Sequence, residues 1–344
     1  MHSTDHSTET AAEKAARAFW QRYDCERTRS LDNFAQGSVY AAVDKETGSR
    51  YALKIAETHP AFDVGDQFGE RWLRTDKLQH AHQLPYTAEH RWEMQSAVHY
   101  ALLMPLSAEG CLLHAQPASD WTEQQRRSIW RQVTEALDYL HTQGGAMQCL
   151  HASHVLLFRQ EDGGALQARL INYGAKRRLP LAFFANYEYL APEQIDSADQ
   201  SAAADPRSDS WALGVLAYWL WTGQLPFGKK SPKNPNRAIA ERILEDDVPE
   251  LLQRLPLPYR DIVAACLQKD PAERPTCAEI LAQLPASDEA DSNNEAATPA
   301  AEGNRNANSS SVAIASAHIE EEEQKERRWR SEERRVGKEC RSRW

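Results

Sequence analysis

The stretch from Trp211 to Trp221 is apolar almost all the way round a helical projection. A helix with no polar face is stable only inside a packed body, so other helices must surround it. The chain before it reads differently. Ser38–Val43 and Tyr51–Ile55 have strand composition and are joined by the turn Lys45–Gly48. Thr122 and Gln125 make a capping-box signature ahead of Ile129, Val133, Leu137 and Leu140 at helical spacing, and Thr276 with Glu279 repeats that signature before a final helix. Strands first and helices afterwards predict an α+β protein, a small β-rich lobe followed by a larger helical one.

Composition sets the limits of that body. From Ala286 to about Ala317 the chain is mostly Ala, Ser, Asn, Asp, Glu and Gly, with too few large apolar side chains for a core. The charged run Ile319–Arg328 follows. The expected organisation is a disordered N-terminus over 1–17, one folded domain over 18–285, and a disordered linker and charged tail over 286–329. Residues 330–344 resemble the in-frame translation of a sequencing-library adapter and are set apart from the natural protein.

A formal net charge of -10 argues against non-specific binding to nucleic acid or anionic membrane. The six cysteines are scattered without a CxxC pair, which suggests reduced thiols. The polar N-terminus carries Asp and Glu and is no signal peptide, and no apolar run reaches the ~18 residues of a membrane span. These features suggest a cytoplasmic chain.

Several segments, in order, carry a family resemblance. Tyr51-Ala52-Leu53-Lys54 is followed by Met104-Pro105-Leu106-Ser107, then Tyr189-Leu190-Ala191-Pro192-Glu193, Ser208-Asp209-Ser210-Trp211-Ala212-Leu213-Gly214, and Asp270-Pro271-Ala272-Glu273-Arg274-Pro275-Thr276. Together they resemble the eukaryotic-type Ser/Thr protein kinase superfamily, which implies a bilobal fold. By that resemblance Lys54 is the phosphate-contacting lysine and Glu70, on the helix-like stretch Gly69–His80, its carboxylate partner. Val39 and Ala52 would enclose an adenine beside the hinge at Met104. Glu193 and Arg274 would form a buried ion pair, and Asp209 would cap the catalytic-loop backbone. A lysine paired with Glu70 also holds strand and helix together without any nucleotide, so both readings of Lys54 stand.

The same alignment shows what is missing. The catalytic loop of the family reads His-Arg-Asp-Leu-Lys-Pro-x-Asn; here it reads Met147-Gln148-Cys149-Leu150-His151-Ala152-Ser153-His154. Cys149 replaces the catalytic Asp, His151 the lysine that steadies the transferred phosphate, and His154 a metal-binding Asn. Asn172-Tyr173-Gly174 stands for Asp-Phe-Gly, offering an amide where Mg²⁺ prefers an anionic oxygen. Of the glycine-rich loop only Gly37 survives, with Phe34 and Asp32 at positions that hinder phosphate. Gln148 replaces the arginine that reads an activation-loop phosphate.

The chain therefore resembles a pseudokinase, a binding or scaffolding module with protein partners, no required cofactor, weak ATP binding and no role for Mg²⁺. Two alternatives accompany that reading. One is a divergent active kinase drawing a carboxylate from elsewhere, with Glu161 and Asp162 nearest in sequence. The other is a metal-binding module built from Cys149, His151 and His154, with His141 as a further ligand. Trp121, Trp130 and the 179–184 segment are candidates for an interface or for lobe packing, with packing favoured.

Overall fold

In a computed structural model of the chain, which describes residues 10–25, 31–34, 37–58, 79–94, 97–115, 118–159, 165–171, 187–195 and 205–285, the strand-rich segments form one antiparallel sheet. Its strands are β1 (Tyr23–Cys25), β2 (Asp32–Phe34), β3 (Gly37–Asp44), β4 (Arg50–Thr58), β5 (Ala88–Met94) and β6 (Ala97–Pro105). They are ordered β1-β3-β4-β6-β5, with β2 beside β3. The period of two divides the side chains between faces. Leu53, Ala101 and Leu103 join one apolar cluster, while their neighbours Ala52 and Met104 join another.

The folded body starts earlier than the boundary expected at residue 18. Helix α1 spans Ala11–Arg22, opened by a capping box in which Glu13 N–H donates to Thr10 Oγ1 (3.2 Å) and Thr10 N–H donates to the Glu13 carboxylate (2.7 Å). Phe19 is buried, its ring 4.9 Å from Tyr23, 4.9 Å from His90 and 5.5 Å from Trp92. Tyr23 lies on β1 and His90 on β5, opposite edges of the sheet, yet their rings are 5.9 Å apart. The sheet therefore curls, and α1 fills the opening. Residues 1–9 lie outside the described residues.

The second lobe contains α2 (Leu112–Ala115), α3 (Glu123–Thr142), the hairpin β7 (Val155–Arg159) and β8 (Leu166–Leu170), α4 (Pro192–Ile195), α5 (Pro206–Thr222), α6 (Asn236–Glu245), α7 (Tyr259–Cys266) and α8 (Cys277–Gln283). The apolar helix is α5. Asp205 caps its start, every residue from Ser208 to Tyr218 is buried, and it ends at Gly223 with φ 72°. Gly214 on α5 is required by packing: a Cβ there would lie 2.8 Å from Cys266 Cβ on α7. Trp130 on α3 donates its indole N–H to Leu213 O on α5 at 3.0 Å. Trp121 and Trp130 are core residues, so packing accounts for both; the 179–184 segment lies outside the described residues.

The chain divides into two compact units, Met1–Ser287 and Asp288–Trp344, and every described residue belongs to the first. No helix among the described residues is long and apolar enough to cross a membrane.

Candidate functional site

The loop between α3 and β7 is organised by one carboxylate. Asp209, wholly buried on α5, accepts hydrogen bonds from Met147 N–H (2.7 Å), Gln148 N–H (2.5 Å) and His141 Nε2 (2.9 Å). The two backbone donors are buried away from water, and a buried carboxylate supplies strong, charge-assisted acceptors for them. Gln148 adopts φ 60°, a left-handed conformation that costs roughly 1–2 kcal/mol outside glycine. Two flanking contacts hold it there. Its N–H is bound by Asp209, and its carbonyl accepts from Gln194 Nε2 at 2.9 Å. Gln194 Oε1 in turn accepts from Ala191 N–H at 3.0 Å, so one buried amide ties the loop to the Ala191–Glu193 segment.

Within the loop, the side chains are committed to each other. His154 Nδ1 donates to the Cys149 carbonyl at 2.7 Å, and His151 Nδ1 lies 2.8 Å from Ser153 Oγ. The two imidazoles lie against each other at a tilt of 38°, with centroids 3.7 Å apart, and the Tyr189 ring is 6.0 Å from His151. Burial, reinforced by His154, pushes the His151 pKa well below the usual imidazole range. The ring is therefore neutral near neutral pH, at the position where the resemblance expects a lysine. No group of three His, Cys, Asp or Glu side chains able to hold a metal occurs among the described residues. Two of the side chains weighed for the metal-binding alternative of Cys149, His151, His154 and His141 are engaged within the protein. His154 engages the Cys149 carbonyl, and His141, the further ligand considered, is occupied by Asp209.

The other half of the cleft is apolar. Ala52, Leu84, Met104 and Ile171 are buried together, with Val39, Leu106, Leu156 and Phe158 packed against them. Lys54 is buried on β4, paired in register with Val39 on β3 and Leu102 on β6. At the remnant of the glycine-rich loop, Phe34 on β2 is in register with Gly37 on β3. Ile171 N–H donates to the His154 carbonyl at 3.0 Å, which fixes the residue before Asn172 beside the loop's last imidazole. Glu70, Asn172, Glu161 and Asp162 lie outside the described residues. A magnesium-bound triphosphate asks for anionic oxygen ligands, and residues 147–154 contain no Asp or Glu. This donor set does not fit that group.

Beneath the site, Arg274 Nη1 and Nη2 each donate to a separate Glu193 oxygen at 2.8 Å. Arg274 is 1% exposed, and its remaining donors reach the carbonyls of Gln268, Lys269 and Arg207. Ser208 Oγ also donates to Glu193, at 2.7 Å. Burial alone would raise the Glu193 pKa, but the Arg274 and Ser208 contacts outweigh it and hold the carboxyl below its ordinary range. Reasoning from sequence did not single out Gln194. The available signal was a polar side chain directly after Ala191-Pro192-Glu193.

The family model for the protein kinase domain matches residues 28–284. The chain is 25% identical over 187 residues to sperm motility kinase 3A of Mus musculus, covering 53% of this chain and 34% of that protein. It is 26% identical over 279 residues to the RAC-beta serine/threonine-protein kinase of Homo sapiens, covering 79% of this chain and 54% of that protein. Both alignments thus span little more than half, or less, of the relatives' own lengths.

Proposed function

The chain belongs to the protein kinase family, and from that premise we propose that it is a pseudokinase, a cytoplasmic binding or scaffolding module with little or no phosphotransferase activity. The observation that carries this reading is the state of the loop at 147–154. Phosphoryl transfer is driven by positioned carboxylates, metal ions and cations around the moving phosphate. Here the loop presents a thiol, a neutral His151 packed against His154, and a His154 whose Nδ1 is taken up by a backbone carbonyl. Loss of a general base alone lowers such rates by about 10²–10⁴-fold, and the metal positions are altered as well.

A divergent active kinase remains the second reading. It is supported by Lys54, retained and buried on β4, and by relatives that are named as kinases. The apolar slot around Val39, Ala52 and Met104 depends on none of the altered positions, so adenosine should bind about as well as ATP. Thermal-shift titrations test this, because a ligand stabilises only in proportion to its affinity for the folded state. The expected result is a small shift with ATP or adenosine that Mg²⁺ does not enlarge. Clear Mg²⁺-dependent stabilisation by ATP would favour the active kinase.

A further inference from the structure

We infer that the segment from Gly228 to Arg237, a loop that runs into the first turn of α6, is a docking surface for an acidic linear peptide of a partner protein. The inference rests on the binding-module reading and names the surface it would use. No Asp or Glu lies between Asp209 and Glu241, whereas Lys229, Lys230, Lys233 and Arg237 fall within nine residues. In a chain of net charge -10 this is a sharp local reversal of sign. Lys229, Lys230 and Lys233 are exposed and make no ion pair with any described residue; Arg237 is paired with Glu241 at 2.9 Å, with both side chains largely in solvent.

A run of lysines is ordinarily a solvated surface, but the backbone of this one is pinned. Ser231 and Asn234 exchange two backbone hydrogen bonds, each 3.0 Å. Asn234 Nδ2 donates to Lys229 O at 2.7 Å, and Arg242 donates both to Asn234 Oδ1 and to Phe227 O. Gly228, at φ 90°, lies so close to Arg242 Nη2 that a Cβ would sit 3.1 Å from it. The loop is also anchored to the activation-segment remnant. Lys230 N–H donates to Glu188 Oε1 at 2.8 Å, and this neighbouring carboxylate is itself buried. The backbone that carries the lysines is therefore ordered before any partner arrives, which lowers the entropic cost of docking.

Charge complementarity selects the occupant. A bilayer or nucleic acid extends its negative charge far beyond one loop and would meet the acidic remainder of the protein. A short peptide with a few carboxylates matches the patch alone, within about one Debye length of ~8 Å.

The test is fluorescence anisotropy of a labelled Gly-Glu repeat peptide against the full chain, without nucleotide, with a Gly-Gln repeat as the neutral control. Binding of the Gly-Glu peptide should weaken with salt, and Lys229→Glu/Lys233→Glu should raise Kd about tenfold or more. Lys14→Glu, an exposed charge reversal on α1 in the other lobe, should leave it unchanged. Melting temperatures confirm that the variants fold. Where the peptide binds, three results would overturn the inference: a double variant that binds like the parent, an equal loss in Lys14→Glu, or displacement of the peptide by phosphatidylserine vesicles or polyuridylate that bind more tightly. Absence of peptide binding would remove this surface and leave the pseudokinase reading standing. Label transfer from ATP onto the chain itself, lost in Lys54→Met, would do the reverse.

Discussion

Replacing Glu193 with Ala should destabilise the domain severely, although the residue touches no nucleotide and no reacting atom. The Arg274 guanidinium is 1% exposed and would keep its backbone acceptors at Gln268, Lys269 and Arg207, but two of its donors would face the space left by the carboxylate. Ser208 Oγ would lose its acceptor as well. Removing one partner of a buried pair costs about 3–5 kcal/mol. The Glu193 side chain retains 18% exposure, so water can partly replace it and the lower end applies. For a domain of this size each kcal/mol moves Tm by about 2 °C, so a fall of roughly 6 °C is expected by scanning calorimetry. Arg237→Ala, which breaks the exposed pair with Glu241, gives the comparison and should move Tm by about 1 °C at most.

The same pair predicts a pH dependence with a definite sign. The folded-state pKa of Glu193 is depressed, so its contribution is present above the unfolded value of about 4.3 and is lost as pH falls through the folded value. The Tm gap between the parent and Glu193→Gln should therefore narrow below about pH 4.3. An unchanged Tm in Glu193→Ala, or a gap indifferent to acid, would refute the role assigned to this pair.

Two further outcomes follow from burial. Phe19→Ala should cost about 3–5 kcal/mol, because Phe19 is the side chain through which α1 closes the curled sheet; denaturant unfolding measures it, and a loss below about 1 kcal/mol would mean that α1 is not integral to the lobe. Asp209→Ala should release Met147 N–H, Gln148 N–H and His141 together, so hydrogen exchange across 146–150 should accelerate sharply; unchanged protection there would show that Asp209 does not organise the loop.

Much of this architecture was legible because the informative signals are local. The helix at Trp211–Trp221 lacks a polar face and is fully buried as far as Tyr218. The capping boxes at Thr122–Gln125 and Thr276–Glu279 open α3 and α8 as read. Thr10–Glu13 carries the same signature, yet the boundary expected at residue 18 cuts through α1 and leaves Ala11–Arg17 outside the folded domain. Its Ala-rich, charged sequence advertises little hydrophobicity, and its anchor, Phe19, depends on Trp92 and His90 far along the chain. The site divides in the same way. The substitutions at Cys149, His151 and His154 are visible in sequence. The neutral state of His151 is a product of folded burial and of the imidazole packed beside it, and the Gln194 bridge to Gln148 spans 46 residues. No local pattern encodes either.

The central claim is tested most directly by incubating the purified full chain with γ-labelled ATP and either Mg²⁺ or Mn²⁺, alongside a Lys54→Met variant. Label incorporation should stay at background with both proteins, on the chain itself and on generic protein substrates. Incorporation by the parent that disappears in Lys54→Met would contradict that claim and establish an active kinase working without a carboxylate at position 149.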